Sequence, residues 1–183
     1  MKWMIASDLH GSALWCRRLF DLYRAEKADR MILLGDLLYH GPRNDLPEEY
    51  APKQVMALLS EHREELMCVR GNCDGEVDQM VLPFPILAEY ALLAEGNHTI
   101  FLTHGHHFHA GQLPPLKTGD ILLHGHTHVP CNELTPAGIR VMNPGSVSMP
   151  KEGSWHGCMT LEGGLFRWLD LEGDEQLRYQ LQP

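Results

Sequence analysis

The sequence predicts an α/β fold, because short apolar segments typical of buried strands alternate with segments of helical periodicity. In the first half of the chain the predicted order is strand, helix, strand, helix, strand. Five of the apolar segments end at a polar cluster that contains Asp, Asn or His beside Gly. Ligand sites in open α/β sheets lie beyond the carboxyl ends of the strands, so we expect these clusters to meet in space.

The individual elements follow in chain order. Predicted strands occupy residues 2–6, 30–34, 66–69, 99–102 and 120–123. Ser12 is positioned to cap a helix in which Trp15, Leu19 and Leu22 recur at helical spacing. Pro52, at the first position of a helix, predicts a second helix through Leu59.

After Pro83 the strand-like segments become shorter, at residues 86–93, 99–103, 139–142 and 159–169. These segments predict a second, mixed or antiparallel sheet that packs on the first. With 183 residues, of which 44% are hydrophobic, the chain is expected to form one domain spanning residues 1–183.

Composition excludes several classes of function. The chain has 15 Lys and Arg against 24 Asp and Glu, a formal net charge of -9, so long nucleic acid is not an expected partner. The apolar runs are too short for a membrane span or a signal peptide. Five cysteines without CxxC spacing indicate reduced thiols and a cytoplasmic protein. A homo-oligomer, dimer or tetramer, is compatible with the sequence, which carries no visible signal for it.

The polar clusters contain enough donors for two divalent cations. Two carboxylates, one carboxamide and four imidazoles are the candidate ligands: Asp8, His10, Asp36, Asn72, His104, His126 and His128. We expect one cation at Asp8, His10, Asp36 and His128 and the other at Asp36, Asn72, His104 and His126. Two such cations about 3.5 to 4 Å apart are suited to hydrolysis of phosphate esters.

Other interpretations of the same residues have to be considered. A single Asp that ends a strand usually caps a helix, and a single His is usually a packed polar group, as we expect for His124. A structural zinc site is rich in Cys, which is nearly absent from the clusters. The conjunction of five clusters after predicted strands therefore favours a metal centre.

Six segments in order, DLHG, GDLLYHGPRN, GNCDGEVDQM, THGH, HGHTH and NPGSVSMPK, span residues 1 to about 150. Together they resemble the calcineurin-like metallophosphoesterases, in particular the small bacterial phosphodiesterases of the YfcE type. The resemblance implies the same seven ligands and a four-layer αββα sandwich of two mixed sheets flanked by helices. It also implies Mn²⁺, while the ligand types admit Zn²⁺, Fe²⁺, Co²⁺ or Ni²⁺ as well.

The third segment supplies the candidate catalytic residues Asn72, Cys73 and Asp74. Many members of the family carry a His where this chain has Cys73, and that His contacts phosphate and helps to protonate the leaving oxygen. Because a thiol is the poorer proton donor, we expect a preference for good leaving groups. A small thiol that only fills space is the alternative.

Four further polar residues are candidate substrate contacts. His40, Arg43 and Asn44 follow Asp36 in a loop that contains Gly and Pro, and His106 is close in sequence to His104. An Arg beside such a site can clamp a phosphate oxygen. The alternative for each of the four is a solvated loop side chain.

The sequence therefore predicts a dinuclear metal-dependent phosphodiesterase that hydrolyses small phosphodiesters by attack of a metal-bridging hydroxide. A phosphomonoesterase is the first alternative. A non-catalytic protein-interaction scaffold of the same fold, like the retromer subunit that resembles these enzymes, is the second. The complete ligand set counts against a scaffold, which has no need of seven donors.

Overall fold

A computed structural model describes residues 1–182 and contains fourteen helices and strands in that range. In chain order they are β1 (Lys2–Ala6), α1 (Ala13–Ala25), β2 (Arg30–Leu33), α2 (Pro52–Glu61), β3 (Leu66–Cys68), α3 (Glu76–Val81), β4 (Ala91–Glu95), β5 (His98–Leu102), β6 (Ile121–Leu123), β7 (Cys131–Leu134), β8 (Arg140–Asn143), β9 (Gly157–Glu162), β10 (Leu165–Asp170) and β11 (Glu175–Gln180).

The strands form two mixed sheets, which confirms the predicted α/β class. The six-stranded sheet has the order β11-β10-β9-β1-β2-β3, with β1, β2 and β3 parallel. The five-stranded sheet has the order β4-β5-β6-β8-β7, with β5, β6 and β8 parallel and antiparallel strands at both edges. Each sheet therefore points a set of strand carboxyl ends toward one edge.

Three apolar clusters hold these layers together. The sheets share a core that includes Ile5, Ile32, Leu123 and Trp168. Helices α1 and α2 cover the outer face of the six-stranded sheet, where α1 begins as predicted with Ser12 as its cap. On the outer face of the five-stranded sheet the covering layer is the segment 104–120, whose apolar residues pack on Phe101 and neighbouring strand residues. No helix of the described chain is long and apolar enough to cross a membrane.

Two predictions about the strands are wrong in detail. The segment 159–169 was expected in the second sheet, but β9 and β10 extend the six-stranded sheet, where Ile5 of β1 pairs with Met159. Both sheets bury the same kind of apolar face, so the pattern of a hairpin does not say which sheet it extends. The strand expected at 86–93 begins only at Ala91.

Three elements were not predicted, namely α3, β7 and β11. Helix α3 has no buried residue, and most residues of β11 are exposed or only half-buried. Elements of this kind lack the regular apolar pattern from which strands and helices are recognised in a sequence.

The two sheets are joined by a buried hydrogen bond, which yields a test of stability. The indole N–H of Trp168 on β10 donates to the backbone O of Asn143 on β8 at 2.7 Å. Trp168→Phe should lower the free energy of unfolding by about 1 to 3 kcal/mol, because it removes a buried hydrogen bond to the Asn143 carbonyl. Denaturant unfolding of the purified protein measures the change.

Trp155 provides a matched control, because its buried indole N–H has no hydrogen-bond partner within the described chain. Trp155→Phe removes a donor that satisfies nothing, so its effect should be near zero or slightly stabilising. An equal loss in the two variants would show that ring size, and not the inter-sheet hydrogen bond, sets the effect at position 168.

Candidate metal centre

The loops that leave the parallel strands of both sheets converge at one edge of the molecule. From the six-stranded sheet, β1 leads to Asp8 and His10, β2 to Asp36, and β3 to Asn72. From the five-stranded sheet, β5 leads to His104, and β6 to His126 and His128. The structure thus brings together the seven residues predicted as ligands, three of the loops coming from one sheet and two from the other.

Backbone conformation singles out most of these residues. Asp8, His10, Asp36, His126 and His128 have φ values of 59°, 46°, 57°, 67° and 63°. They are five of the eight non-glycine residues with positive φ in residues 1–182. This left-handed conformation is unfavourable for residues with a Cβ, and it concentrates where surrounding contacts hold side chains for a function.

The first group of donors surrounds Asp8. Its Oδ1 atom lies 3.2 Å from Nε2 of His128 and 3.5 Å from Nε2 of His10. The two imidazole Nε2 atoms are 3.3 Å apart. Two ligands of one cation at 2.0 to 2.2 Å bond length lie roughly 3 to 3.5 Å from each other, so the three atoms have the spacing of ligands to a shared ion.

The second group surrounds His104. Its Nε2 atom lies 3.1 Å from Oδ1 of Asn72 and 3.2 Å from Nδ1 of His126. Oδ2 of Asp36 lies between the groups, 3.4 Å from Nε2 of His104 and 3.6 Å from Nε2 of His10. Asp36 therefore lies within reach of both groups of donors.

Backbone carbonyls set the orientation of three of the imidazoles. Nδ1 of His10 lies 2.8 Å from the O of Tyr39, Nδ1 of His104 lies 2.6 Å from the O of Leu34, and Nδ1 of His128 lies 2.7 Å from the O of Met149. A carbonyl only accepts hydrogen bonds, so Nδ1 carries a proton in each ring and Nε2 faces the centre.

The donor set fits cations for a second reason. Oδ1 of Asp8 is buried and has no hydrogen-bond donor within the described chain. Lone pairs of this oxygen and of the facing imidazole nitrogens repel one another unless positive charge lies between them. The oxygen and nitrogen types and their spacing fit a pair of divalent transition-metal ions.

The pKa shifts of the buried groups also favour positive charge at this place. Although burial opposes it, contacts with His10 and His128 hold the pKa of Asp8 well below its ordinary value. Burial likewise opposes protonation of His104, but the Asp36 and Asp8 carboxylates raise its pKa to about 9. Cations that bind at the same place displace such protons.

Asp74 has its carboxylate turned toward the backbone and away from the cavity. Oδ2 accepts hydrogen bonds from the backbone N–H of Asp36 and of Gly71, both at 2.8 Å, and Oδ1 accepts one from Leu37 at 2.9 Å. These three contacts tie the loop after β2 to the loop after β3. The geometry favours a role for Asp74 in positioning Asp36.

Cys73 lies beside the metal-ligand residues. Its backbone N–H donates to Oδ1 of Asp36 at 2.8 Å, and the side-chain amide of Asn72 donates to its Sγ at 3.2 Å. Burial and the Asp36 carboxylate raise the pKa of the Cys73 thiol. The thiol therefore keeps its proton in the field of the surrounding protein groups.

A cavity of about 430 Å³ opens over the ligands. Arg43 and Asn44 line it, as do Asn72 and Cys73. Of the other two predicted substrate contacts, His40 packs against Tyr50 with ring centroids 5.2 Å apart, and His106 faces a neighbouring cavity on the far side of His126.

Sequence reasoning missed three residues at this site. Lys151 lines the cavity. The hydroxyls of Ser146 and Ser148 donate to the backbone O of Asp8 at 2.9 and 3.0 Å and support its left-handed conformation. The signal was the segment NPGSVSMPK, one of the six segments that carry the family resemblance, for which no role of an individual side chain was predicted.

Comparison with known proteins places the fold. The family model described as the calcineurin-like phosphoesterase superfamily domain matches residues 1–163. Phosphodiesterase YfcE of Escherichia coli (strain K12) is 48% identical over 154 residues, which are 84% of this chain and 83% of that protein.

Two solved structures extend this comparison. The structure of YfcE, a phosphoesterase from E. coli, superposes with a TM-score of 0.94 at 42% identity and covers 100% of both chains. Vps29 of Entamoeba histolytica in complex with Zn²⁺ covers 100% of both chains with a TM-score of 0.57 at 18% identity, which shows the shared fold alone. The resemblance predicted from the six segments is confirmed.

The close approach of Gly71 to Asp36 yields a test of the metal centre. A Cβ at position 71 would overlap the carboxylate and the backbone nitrogen of Asp36. Gly71→Ala should lower the free energy of unfolding by about 1 to 3 kcal/mol. By displacing Asp36 it should also weaken Mn²⁺ binding roughly 10- to 100-fold, as measured by calorimetric titration.

Gly75→Ala is the matched control, since a Cβ there meets nothing closer than Oδ2 of Asp78 at 3.8 Å. This variant alters only the cap of the short helix α3 and should lose less than about 1 kcal/mol with Mn²⁺ affinity unchanged. If Gly71→Ala bound Mn²⁺ as tightly as Gly75→Ala, Asp36 would not be a ligand in the assigned position.

Proposed function

The chain belongs to the calcineurin-like phosphoesterase superfamily, and from that premise we propose that it is a phosphodiesterase that hydrolyses small phosphodiesters with two divalent cations. The single observation that carries the proposal is the position of Asp36. Its Oδ2 atom lies between two groups of donors, 3.6 Å from His10 and 3.4 Å from His104. A carboxylate shared in this way is the arrangement that a two-metal hydrolase requires.

The distances between the donor atoms suggest how the seven predicted ligands would be divided between the two ions. Asp8, His10, Asp36 and His128 would hold one ion, and Asp36, Asn72, His104 and His126 would hold the other. When bound, the two ions supply a water activated at neutral pH, orientation of the phosphate oxygens and stabilisation of the transition-state charge. Mn²⁺ is the proposed metal, and this donor set also accommodates Zn²⁺, Fe²⁺, Co²⁺ or Ni²⁺.

The protein groups contribute orientation and charge. Carbonyls behind His10, His104 and His128 fix the rings, so that no reorganisation is needed when substrate binds. Asp74 fixes the backbone of Asp36 by three hydrogen bonds to the two loops. We propose that Asp74 acts through Asp36 and that Asn72 and Cys73 face the substrate.

The cavity indicates the size of the substrate. A volume of about 430 Å³ lies in the lower half of the range of small-molecule pockets, about 300 to 1,000 Å³. The formal net charge of -9 disfavours long nucleic acid, whereas the ions would make the site itself positive. A small phosphodiester in the cytoplasm, where the five free cysteines stay reduced, fits these properties.

Cys73 supports a preference for good leaving groups. It lines the cavity next to Asn72, at the position where, by the family resemblance, a His would reach the leaving oxygen. A thiol is a poorer hydrogen-bond and proton donor than an imidazolium, so it protonates a leaving oxygen less effectively. A substrate whose leaving oxygen needs little protonation is then hydrolysed best.

Metal-dependent diesterase activity tests the proposal directly. The protein is freed of metal, reconstituted with Mn²⁺ and assayed with bis(4-nitrophenyl) phosphate and with 4-nitrophenyl phosphate. We expect the diester to be the better substrate and chelation to abolish its hydrolysis. Asp36→Asn should lower kcat/KM by roughly 100-fold or more, since changes to groups that only orient metal ligands already cost about 10- to 100-fold.

Asp21→Asn is the control for this assay, because Asp21 is an exposed carboxylate on α1 that pairs with Arg24. It should retain full activity. A preference for the monoester would make the chain a phosphomonoesterase. Binding of two ions without hydrolysis of either ester would favour the interaction scaffold that this fold also forms.

Substitution of Cys73 tests its role at the leaving group. Cys73→His should raise kcat/KM for phenyl esters, which have a poor leaving group, by roughly 10- to 100-fold relative to 4-nitrophenyl esters, because an imidazolium can protonate the leaving oxygen. Rates with the two series of aryl phosphodiesters measure the ratio. Cys73→Ser, a hydroxyl of similar size, should give no such gain. An unchanged ratio in Cys73→His would assign the thiol to packing only.

A further inference from the structure

Two cationic side chains that the proposed chemistry does not use face the metal cavity. Arg43 comes from the loop after β2, and Lys151 comes from the segment between β8 and β9. Apart from imidazoles, they are the basic side chains among the residues that line this cavity. Both are exposed, so they lie at its mouth.

Neither cation has a carboxylate partner. Within residues 1–182, Arg43 and Lys151 form no ion pair with Asp or Glu, whereas Arg17, Arg18 and Arg167 do. Five other Lys and Arg residues in that range also form no such pair, but none of them lines this cavity. Cations left without a carboxylate at a cavity mouth are available to an anionic ligand.

The backbone of Lys151 is tied to the metal-ligand loop. Its N–H donates to the backbone O of His128 at 3.2 Å, while Nδ1 of His128 donates to the O of Met149 at 2.7 Å. The backbone O of Lys151 accepts from the N–H of Ser154 at 3.0 Å and from its hydroxyl at 2.7 Å. The backbone of Lys151 is therefore held beside a predicted ligand.

Charge counting shows that these cations exceed what the reacting phosphate needs. Two divalent ions, the carboxylates of Asp8 and Asp36 and a hydroxide nucleophile would leave a charge of about +1 at the centre, which the charge of about -1 on the phosphate of a simple diester balances. Additional positive charge at the mouth fits additional negative charge on the substrate. Arg offers a planar fork for two oxygens, and Lys offers a point charge.

We infer that Arg43 and Lys151 form an anion subsite that binds a second anionic group, a phosphate or a carboxylate, on the retained arm of the phosphodiester. The inference rests on the proposed function and names its substrate class. A diester with a neutral arm reaches the metal centre alone, whereas a diester with an anionic arm is also held at the mouth of the cavity.

Three matched substrates test the subsite, each with 4-nitrophenol as the leaving group: 4-nitrophenyl ethyl phosphate, its 2-phosphonoethyl analogue and its 2-carboxyethyl analogue. The Mn²⁺-loaded protein should prefer at least one anionic arm over ethyl by roughly tenfold in kcat/KM, mainly through KM. The preferred arm distinguishes a phosphate from a carboxylate ligand. The preference should shrink as salt rises, because these charges are exposed.

Variants assign the preference to the two residues. Lys151→Met and Arg43→Met should each reduce the ratio of anionic to ethyl substrate several-fold, the double variant should bring it close to one, and Lys151→Arg should keep most of it. Lys117→Met is the control, since Lys117 is exposed and lines a different cavity. It should leave the kinetic constants of all three substrates unchanged. Thermal unfolding of each variant checks that it is folded. If Lys151→Met does not fold, the kinetics of Arg43→Met alone test the subsite.

The outcomes separate this inference from the proposed function. Hydrolysis of the ethyl diester without a preference for either anionic arm would overturn the subsite and leave the phosphodiesterase intact. A preference that survives the double variant, or that Lys117→Met reduces equally, would assign the effect to other charges. Failure to hydrolyse any of the three diesters would overturn the proposed function itself.

Discussion

The structure depends on the crowding of imidazole nitrogens and carboxylate oxygens, all of them electron-pair donors, around the buried Asp8 and Asp36. Oδ1 of Asp8 and the Nε2 atoms of His10 and His128 lie within 3.5 Å of one another, and three of the imidazoles at the centre have their protons committed to backbone carbonyls. Such an arrangement is stable only with positive charge at its centre, supplied by protons or by cations. The rest of the fold around the site serves to hold these groups in place against their repulsion.

The backbone around the site is strained, which is consistent with the need to hold these groups close together. Five predicted ligands adopt the left-handed conformation that residues with a Cβ avoid, and each is held by contacts from a different part of the chain. Ser146 and Ser148 donate to the O of Asp8, and Asp74 accepts from the N–H of Asp36. Asn143 makes comparable contacts between the two sheets. Its side chain donates to the O of Gly125 at 2.8 Å, and its backbone carbonyl accepts from the indole N–H of Trp168. Asn143 therefore links the inter-sheet core to the loop that carries His126.

The sequence predicted that the seven candidate ligands lie close together, but not the arrangement of the sheets, for a physical reason. Candidate ligands occur where strands end, and both the apolar strand and the polar loop can be recognised in the amino-acid sequence. Asp36 and His104 could therefore be proposed before the arrangement of strands was known. The hairpin of β9 and β10 was assigned to the wrong sheet because its apolar face fits either one. Lys151 and Ser146 were missed as individual residues because their roles depend on contacts with the backbone of His128 and Asp8, which no local pattern encodes.

The difference between the local charge at the site and the net charge of the chain explains how an acidic protein can act on anions. A net charge of -9 acts at long range, where salt screens it within about 10 Å, whereas ions held by Asp8 and Asp36 would act directly on the phosphate. The negative surface then discourages polyanions, which must approach over many residues, without excluding a small ester that fits a cavity of about 430 Å³. Arg43 and Lys151 at the mouth would narrow the choice further, because a second anionic group gains from them only when the reacting phosphate already lies at the metal centre.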